Sequence, residues 1–114
     1  MSNKNPTASI VEGNDGLTLI NTFTVTPERQ NELVELLTLA TEGSVSKVAG
    51  FVSASLHKSL DGTKVTMYAQ WRSMHDYQNM RSNPAASPYL LQALEFATFE
   101  PGMYDVVRVF LPEK

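Results

Sequence analysis

The chain has 114 residues, 42% of them hydrophobic, a formal net charge of −3 and no cysteine. This length allows one domain, and the hydrophobic fraction is too high for a disordered chain. The lack of cysteine excludes disulfides, thiolate chemistry and cysteine-ligated metals, and the lack of any basic run argues against nucleic-acid binding.

Residues 1–16 have neither the basic start nor the apolar stretch of a secretory signal, and their Ser, Asn, Pro, Thr and Gly content is typical of a flexible lead-in. No apolar run approaches the roughly 20 residues that cross a bilayer. We therefore expect one folded domain over residues 17–114, located in the cytoplasm and without a membrane partner.

The first strand is predicted from Leu17 to Thr26, where every second residue from Leu17 onwards is apolar except Asn21. Thr26 is expected as the N-cap of the next helix and Pro27 as its first residue. This helix has a broad apolar face and can extend as far as Gly50.

Beyond this helix the pattern predicts two strands joined by a tight hairpin, two short helices and a final strand. In chain order these are a strand over 51–60, a hairpin at Asp61-Gly62, a strand over 63–71, a helix capped by Ser73, a helix opened by Ser87-Pro88, and a strand over 103–111. The final strand is apolar on both faces.

The order β-α-β-β-(α-α)-β predicts an α+β, ferredoxin-like βαββαβ fold, a four-stranded antiparallel sheet with its helices on one face. The other face of the sheet is then uncovered. Since the final strand is apolar on both sides, we expect a second copy to pack sheet against sheet and form a homodimer.

Asn21 is the polar exception on the inner face of the first strand. A buried amide must find hydrogen-bond partners or cost about 1–3 kcal/mol. It is either a polar anchor in a ligand cavity or an amide satisfied by backbone or placed at a bulge, and the sequence favours neither.

Trp71, the single tryptophan, ends the third strand, and Tyr77 follows on the next helix. Either side chain is able to donate a hydrogen bond into a pocket, although aromatic residues at such positions are more often core. Tyr68 is open to the same two interpretations.

His57 is the better of two histidines for proton transfer, because its ordinary pKa is near neutral. A two-residue hairpin loop pairs His57 with Thr66, on the sheet face opposite Trp71. A three-residue loop with a glycine bulge pairs it with Val65 instead and brings it onto the Trp71 face. Both alternatives stay open, since both faces are expected to be buried.

Several catalytic signatures are missing, namely a glycine-rich phosphate loop, a nucleophile elbow and any His/Asp/Glu spacing that resembles a metal site. We therefore expect no metal site. Catalysis would rely on positioning, hydrogen bonding and one proton transfer.

Three segments, LINTFTVTPERQNELVELL, GFVSASLHKSLDGT and VTMYAQWRSMHDY, together resemble the antibiotic biosynthesis monooxygenase superfamily of dimeric α/β barrels. The resemblance runs from about Leu17 to Phe110. Between Gly50 and Tyr77 it is most specific, and there the chain is similar to the cofactor-independent, quinone-forming branch found in actinorhodin biosynthesis.

This resemblance implies an enzyme that oxidises an electron-rich polycyclic aromatic or phenolic molecule with dioxygen, without metal or flavin. The substrate supplies the electrons, and the protein supplies a dry cavity and stabilisation of an anion. Trp71, Tyr77 and His57 match residues of that site, and Asn21 matches a first-strand asparagine of related oxygenases. The remaining positions expected to bind substrate are Phe23, Met67, Tyr68, Met80, Leu90 and Leu91.

The chain departs from the family pattern at two polar positions. Met67 stands where the family has a third-strand asparagine, and the arginine of its last helix falls at Leu90 or Leu91. Haem degradation is not expected, since its tryptophan and histidine positions fall at about Met80 and Leu90. The rival interpretations are an isomerase of the same fold, which would not need oxygen, and a non-catalytic dimer that binds a small molecule.

Overall fold

The computed structural model describes residues 5–82 and 87–113, apart from the side chain of Ser87. Short 3-10 turns precede and follow the first α-helix, at Pro27–Arg29 and Val45–Lys47. The main elements are β1 (Leu17–Thr24), α1 (Gln30–Gly43), β2 (Phe51–Lys58), β3 (Lys64–Trp71), α2 (Met74–Arg81), α3 (Ser87–Leu94), β4 (Thr98–Glu100) and β5 (Met103–Tyr104).

The strands form one antiparallel sheet in the order β2-β3-β1-β4, and β5 also pairs with β1. The buried side chains of α1, α2 and α3 pack on the same inner row of β1 and β3 side chains. This arrangement confirms the predicted α+β, ferredoxin-like fold with helices on one face of the sheet.

The inner face carries two hydrophobic clusters that meet in the middle of the sheet. Phe23 and Val65 belong to the first, together with residues of α1 and α3, and Leu19 and Ala69 belong to the second. Between these two cross-strand pairs lies a third pair, Asn21 opposite Met67. Asn21 is therefore a polar side chain within the core, between the buried residues Leu19 and Phe23 of the same strand.

The start of α1 is fixed by a buried glutamine rather than by the predicted cap. Thr26 occupies the N-cap position of the first 3-10 turn, but its side chain makes no capping hydrogen bond. One turn later, the Gln30 side-chain amide donates to the backbone oxygens of Ser59 and Lys64, at 3.0 Å each. The helix is thereby tied to both arms of the β2–β3 hairpin.

The hairpin has the register of the predicted two-residue loop. His57 pairs with Thr66 and Lys58 with Val65. The last backbone hydrogen bond of the hairpin runs from the N–H of Ser59 to the oxygen of Lys64. The loop itself therefore contains four residues, 60–63, but the strand residues pair as the two-residue loop predicts. This register directs His57 away from the helices.

The predicted final strand over 103–111 is wrong beyond Tyr104, and the short strand β4 was not predicted. β5 pairs with Thr18 and Leu19, so β1, which begins at Leu17, has almost no partner residues left. Residues 105–113 form no strand, and Val107 and Phe110 are 81% and 84% exposed. Within a single chain the apolar pattern of this segment is therefore left without a strand partner.

The N-terminal segment contacts this C-terminal segment. The N–H of Gly13 donates to the oxygen of Val106 at 3.1 Å, and the N–H of Val109 donates to the Glu12 carboxylate at 2.8 Å. In the part of the chain that the structure describes, no helix is both long and apolar enough to cross a membrane.

Candidate active site

A small cavity of ≈ 140 Å³ lies between the inner face of the sheet and the helices, where the two hydrophobic clusters meet. Its lining is mainly apolar. The described residues around it are Leu19, Asn21, Phe23, Leu37, Ala40, Thr41, Val45, Phe51, Ala54, Met67, Ala69, Trp71, Tyr77, Met80, Arg81, Leu90 and Phe99. Such a lining lowers the local dielectric and strengthens any electrostatic interaction inside the cavity.

Trp71 forms one wall of the cavity and is only 1% exposed. Its position at the end of β3 places it against the ring of Phe51, which meets it edge-on at a centroid distance of 5.4 Å. Tyr77 of α2 packs on it at 6.1 Å. Three aromatic rings from β2, β3 and α2 thus hold one another in fixed orientations.

Asn21 supplies an amide group to the cavity. Its side-chain oxygen Oδ1 is buried and accepts no hydrogen bond from the described residues. The residue directly opposite on β3 is Met67, which offers no strong donor. The family asparagine expected on β3 is thus missing at Met67, while an amide stands at the same cross-strand pair on β1.

Tyr77 and Arg81 are neighbours on α2, one helical turn apart. Arg81 Nη1 donates a hydrogen bond of 3.0 Å to the Tyr77 hydroxyl, and the guanidinium carbon lies 5.8 Å from the centre of the Tyr77 ring. Both residues line the cavity. Arg81 was not among the predicted site residues, although its spacing of four from Tyr77 was a signal for contact on a helix.

The orientation of α2 is set by a polar cluster at its first turn. Ser73 accepts a hydrogen bond from the backbone N–H of Asp76 at 3.1 Å, as predicted for a cap, and Arg72 donates to both carboxylate oxygens of Asp76. The hydrogen bonds from Arg72, and then from Ser73, lower the pKa of the Asp76 carboxyl. Gly50 packs on this carboxylate at φ +92°, where any Cβ would clash with the Asp76 side chain.

Seven of the ten predicted site residues line the cavity, and His57, Tyr68 and Leu91 do not. His57 pairs with Thr66, and Tyr68 pairs with Ile20. Successive residues of a strand point to opposite faces, and the neighbours of these partners along β1 and β3 face the helices. His57 and Tyr68 therefore lie on the outer face of the sheet. His57 is exposed, with a ring nitrogen 2.9 Å from the Ser55 hydroxyl. Leu91 is 64% exposed on α3, whereas Leu90 turns inwards.

The position of His57 excludes it as the direct proton acceptor in this cavity. Tyr77 and Arg81 are the titratable side chains among the described lining residues, which include no carboxylate and no histidine. The described residues also contain no group of three or more His, Cys, Asp or Glu residues able to hold a metal ion. The site offers hydrogen bonds, one guanidinium and an apolar enclosure.

A family model described as antibiotic biosynthesis monooxygenase matches residues 16–89 of the chain. Among curated proteins, the tetracenomycin-F1 monooxygenase of Streptomyces glaucescens is 44% identical over 103 residues, which cover 90% of this chain and 92% of the relative. The matched part contains the whole cavity-lining stretch of β1, β2, β3 and α2.

Two solved structures share the fold over nearly their full length. The monooxygenase ActVA-Orf6 of Streptomyces coelicolor, solved with the ligand nanaomycin D, has a TM-score of 0.75 and 30% identity, covering 86% of this chain and 93% of that one. A variant of SnoaB, a cofactor-independent oxygenase of Streptomyces nogalater, has a TM-score of 0.73 and 24% identity, covering 87% and 99%.

Proposed function

The chain belongs to the antibiotic biosynthesis monooxygenase family, and from this we propose that it oxidises a polycyclic, anthrone-like phenol to a quinone with dioxygen and without metal or flavin. The 44% identity to the tetracenomycin-F1 enzyme shows that this protein is a monooxygenase, a class of oxidoreductase.

The observation that carries the proposal is the unpartnered Oδ1 of Asn21 inside an apolar cavity. A buried acceptor without a donor lowers the free energy of unfolding by about 1–3 kcal/mol, and nothing in the described part of the free protein offsets this loss at Asn21. A substrate hydroxyl, or the O–H of a hydroperoxide, supplies the missing donor. A ligand that carries hydroxyl groups thus accounts for the unpartnered amide oxygen.

The proposed reaction balances with dioxygen alone. An anthrone methylene loses one proton to give a carbanion, whose electrons reduce dioxygen as a carbon–oxygen bond forms. The resulting peroxide anion takes up one proton from water and becomes a hydroperoxide. Loss of the second C–H proton and cleavage of the O–O bond then give the quinone carbonyl and one molecule of water. The methylene carbon loses four electrons, and the two oxygen atoms of dioxygen gain four.

The protein contributes to these steps by enclosure and orientation. Trp71 and Tyr77 donate hydrogen bonds to the oxygens of the flat ring system, and Asn21 holds a hydroxyl or the hydroperoxide. The apolar lining limits the water that reaches the carbanion before dioxygen attacks. The proton passes to solvent, since His57 lies on the outer face.

A polycyclic substrate requires the cavity to widen. The cavity volume is ≈ 140 Å³, whereas sites for molecules of this size usually measure about 300–1,000 Å³. Met67 and Met80 line the cavity, and methionine side chains adapt to a ligand more readily than branched ones. We propose that these thioethers move aside when the rings enter.

Isotope labelling tests the reaction class. With ¹⁸O₂ and an anthrone, a monooxygenase places one ¹⁸O atom in the new quinone carbonyl and the other in water. The reaction must stop under nitrogen. Turnover that continues under nitrogen, together with a product that carries no label when ¹⁸O₂ is supplied, would assign the chain to the isomerase class instead.

We further propose that the enzyme is a homodimer formed through the outer face of the sheet. In support, the C-terminal segment exposes Val107, Phe110 and Leu111 at more than 80% each. A second copy with the same sequence covers this surface without any other partner. A cytoplasmic location stays a prediction from the sequence.

A further inference from the structure

We propose that Arg81 is the anion-binding residue of the site and holds the ionised ring oxygen of the substrate. This inference rests on the proposed function, because it specifies that the bound form of the substrate is a phenolate or enolate. Arg81 was not among the site residues predicted from the sequence.

The first argument is the placement of the guanidinium. Arg81 is the last residue of α2, lines the cavity and is itself exposed, so it stands at the mouth. A guanidinium has five N–H donors, and one of them is engaged with the Tyr77 hydroxyl at 3.0 Å. Among residues 5–82 and 87–113, no carboxylate forms an ion pair with it. Donors are therefore available for a ligand oxygen.

The second argument is electrostatic. Arg81 is the single charged side chain among the described residues that line the cavity, and the surrounding lining is mainly apolar. An opposite charge within about 4–6 Å of an acidic group lowers its pKa by about 1–3 units, whereas burial in an apolar surround raises it. We expect the charge to outweigh the burial here, because the exposed Arg81 holds the ligand oxygen at the mouth of the cavity and not in its interior. A phenol or enol bound beside Arg81 is then ionised at a lower pH than in water.

The third argument is the lack of a base. The described lining contains no histidine and no carboxylate, and His57 faces away. In the proposed step the O–H bond of the substrate, or the C–H bond of its keto form, breaks, the proton passes to water, and the electron pair stays on the substrate. Arg81 makes this loss favourable by stabilising the anion instead of accepting the proton.

The Tyr77 hydroxyl completes the arrangement. It accepts the hydrogen bond from Arg81, so its own proton is directed elsewhere and is free to be donated to the same ligand oxygen. Arg81 therefore acts both directly, through its charge, and as a positioning residue for the Tyr77 hydroxyl.

A binding experiment tests the proposal without turnover. Alizarin, a hydroxyanthraquinone whose visible absorption changes when its phenol ionises, is titrated with pH in the presence of excess protein. Wild type is expected to lower the apparent pKa of the bound dye by at least about 1 unit. Arg81→Gln removes this shift, and Arg81→Lys, which keeps the charge but not the planar fork, retains part of it.

Arg29→Gln is the matched control for the loss of one arginine charge. Arg29 lies outside the cavity lining, where it pairs with Glu32 on the surface. This variant is expected to bind the dye with the wild-type pKa. An equal loss of the shift in Arg29→Gln, an unchanged shift in Arg81→Gln, or wild-type protein that fails to bind the ionised dye would each overturn the assignment.

A kinetic experiment separates this proposal from the proposed function. With an anthrone, the pH at which kcat/KM reaches half its maximum should rise by at least about 1 unit in Arg81→Gln. Oxygen uptake by wild type with no such change in the variant contradicts the role of Arg81 and leaves the monooxygenase proposal standing. Loss of the dye shift in Arg81→Gln, with no oxygen uptake by wild type, upholds the anion site and contradicts the proposed reaction.

Discussion

At the scale of single residues, the cost of the buried Asn21 oxygen leads to a prediction that separates stability from activity. We expect Asn21→Leu to raise the free energy of unfolding by about 1 kcal/mol, because it removes an unpartnered acceptor from an apolar site. The same change should lower kcat about 100-fold, since a hydrogen-bonding group at a reacting oxygen contributes at least that much. Urea unfolding and steady-state oxygen uptake measure the two effects.

Thr41→Val is the matched control for Asn21→Leu. Thr41 also lines the cavity, but its hydroxyl already donates to the oxygen of Leu37 at 2.8 Å. Removing that hydroxyl should leave kcat within about twofold of wild type. A less stable Asn21→Leu protein that retains full activity would show that the amide is structural.

Replacing Trp71 should lower both stability and activity. Trp71→Phe keeps an aromatic ring but removes the indole N–H and part of the volume of a side chain that is only 1% exposed. We expect a loss of about 1–3 kcal/mol in unfolding free energy and a fall of about 100-fold in kcat for the fraction that remains folded. Circular dichroism fixes that fraction, and unchanged turnover per folded molecule would remove Trp71 from the site.

Asn21 was predicted because it is a polar residue in an apolar row of β1. Trp71 and Tyr77 are ordinary core residues by their pattern alone, and the family resemblance is what assigned them to the site. His57 was undecided because both faces of β2 are largely apolar or small, so only the hairpin register places it. Arg81 escaped notice because an arginine in the last turn of a helix is ordinary, and only the fold brings it to the cavity.

At the scale of elements, the β2–β3 hairpin contains a carboxylate that stabilises the turn only when ionised. The side chain of Thr63 donates to Asp61 at 2.7 Å, its N–H at 3.0 Å and the Ser59 hydroxyl at 2.8 Å. These hydrogen bonds lower the pKa of Asp61 from 3.8 to about 2. Because the folded pKa is the lower one, this stabilisation is present above about pH 4 and is lost as the pH falls towards 2.

Asp61→Asn tests this dependence. We expect the unfolding free energy of the variant to fall less steeply between pH 5 and pH 2 than that of wild type, because the variant has no carboxylate to protonate at this turn. Urea denaturation across that range measures the slope. Asp76, whose pKa is also lowered, remains in both proteins and contributes equally, so identical slopes would contradict the role of Asp61.

The elements that the sequence located best are those with local signals. The Ser73 cap and the Asp-Gly turn placed α2 and the hairpin, and Pro27 placed the 3-10 turn that leads into α1. The C-terminal strand was overestimated because alternating apolar residues report burial and not the identity of the partner. Whether β5 continues depends on how far β1 extends beside it, which is a property of the sheet.

At the scale of the whole molecule, the exposed C-terminal segment predicts the oligomeric state. Wild type should elute with the mass of two chains in light scattering coupled to size exclusion. Phe110→Glu places a charge on a side chain that is 84% exposed in one chain and should give the mass of one chain. Leu60→Glu, at the fully exposed hairpin tip, is the control and should remain a dimer. A wild-type monomer would contradict the assembly.

Catalysis of dioxygen chemistry by the cavity is the central claim, and oxygen consumption tests it most directly. Wild-type protein, treated with a chelator and given no flavin or metal, is mixed with an air-sensitive anthrone, and dissolved oxygen is followed against the autoxidation rate without enzyme. We predict uptake well above that rate, one dioxygen per quinone formed, and a fall towards the background rate in Trp71→Phe and Asn21→Leu. Uptake equal to autoxidation across several anthrones would contradict the account.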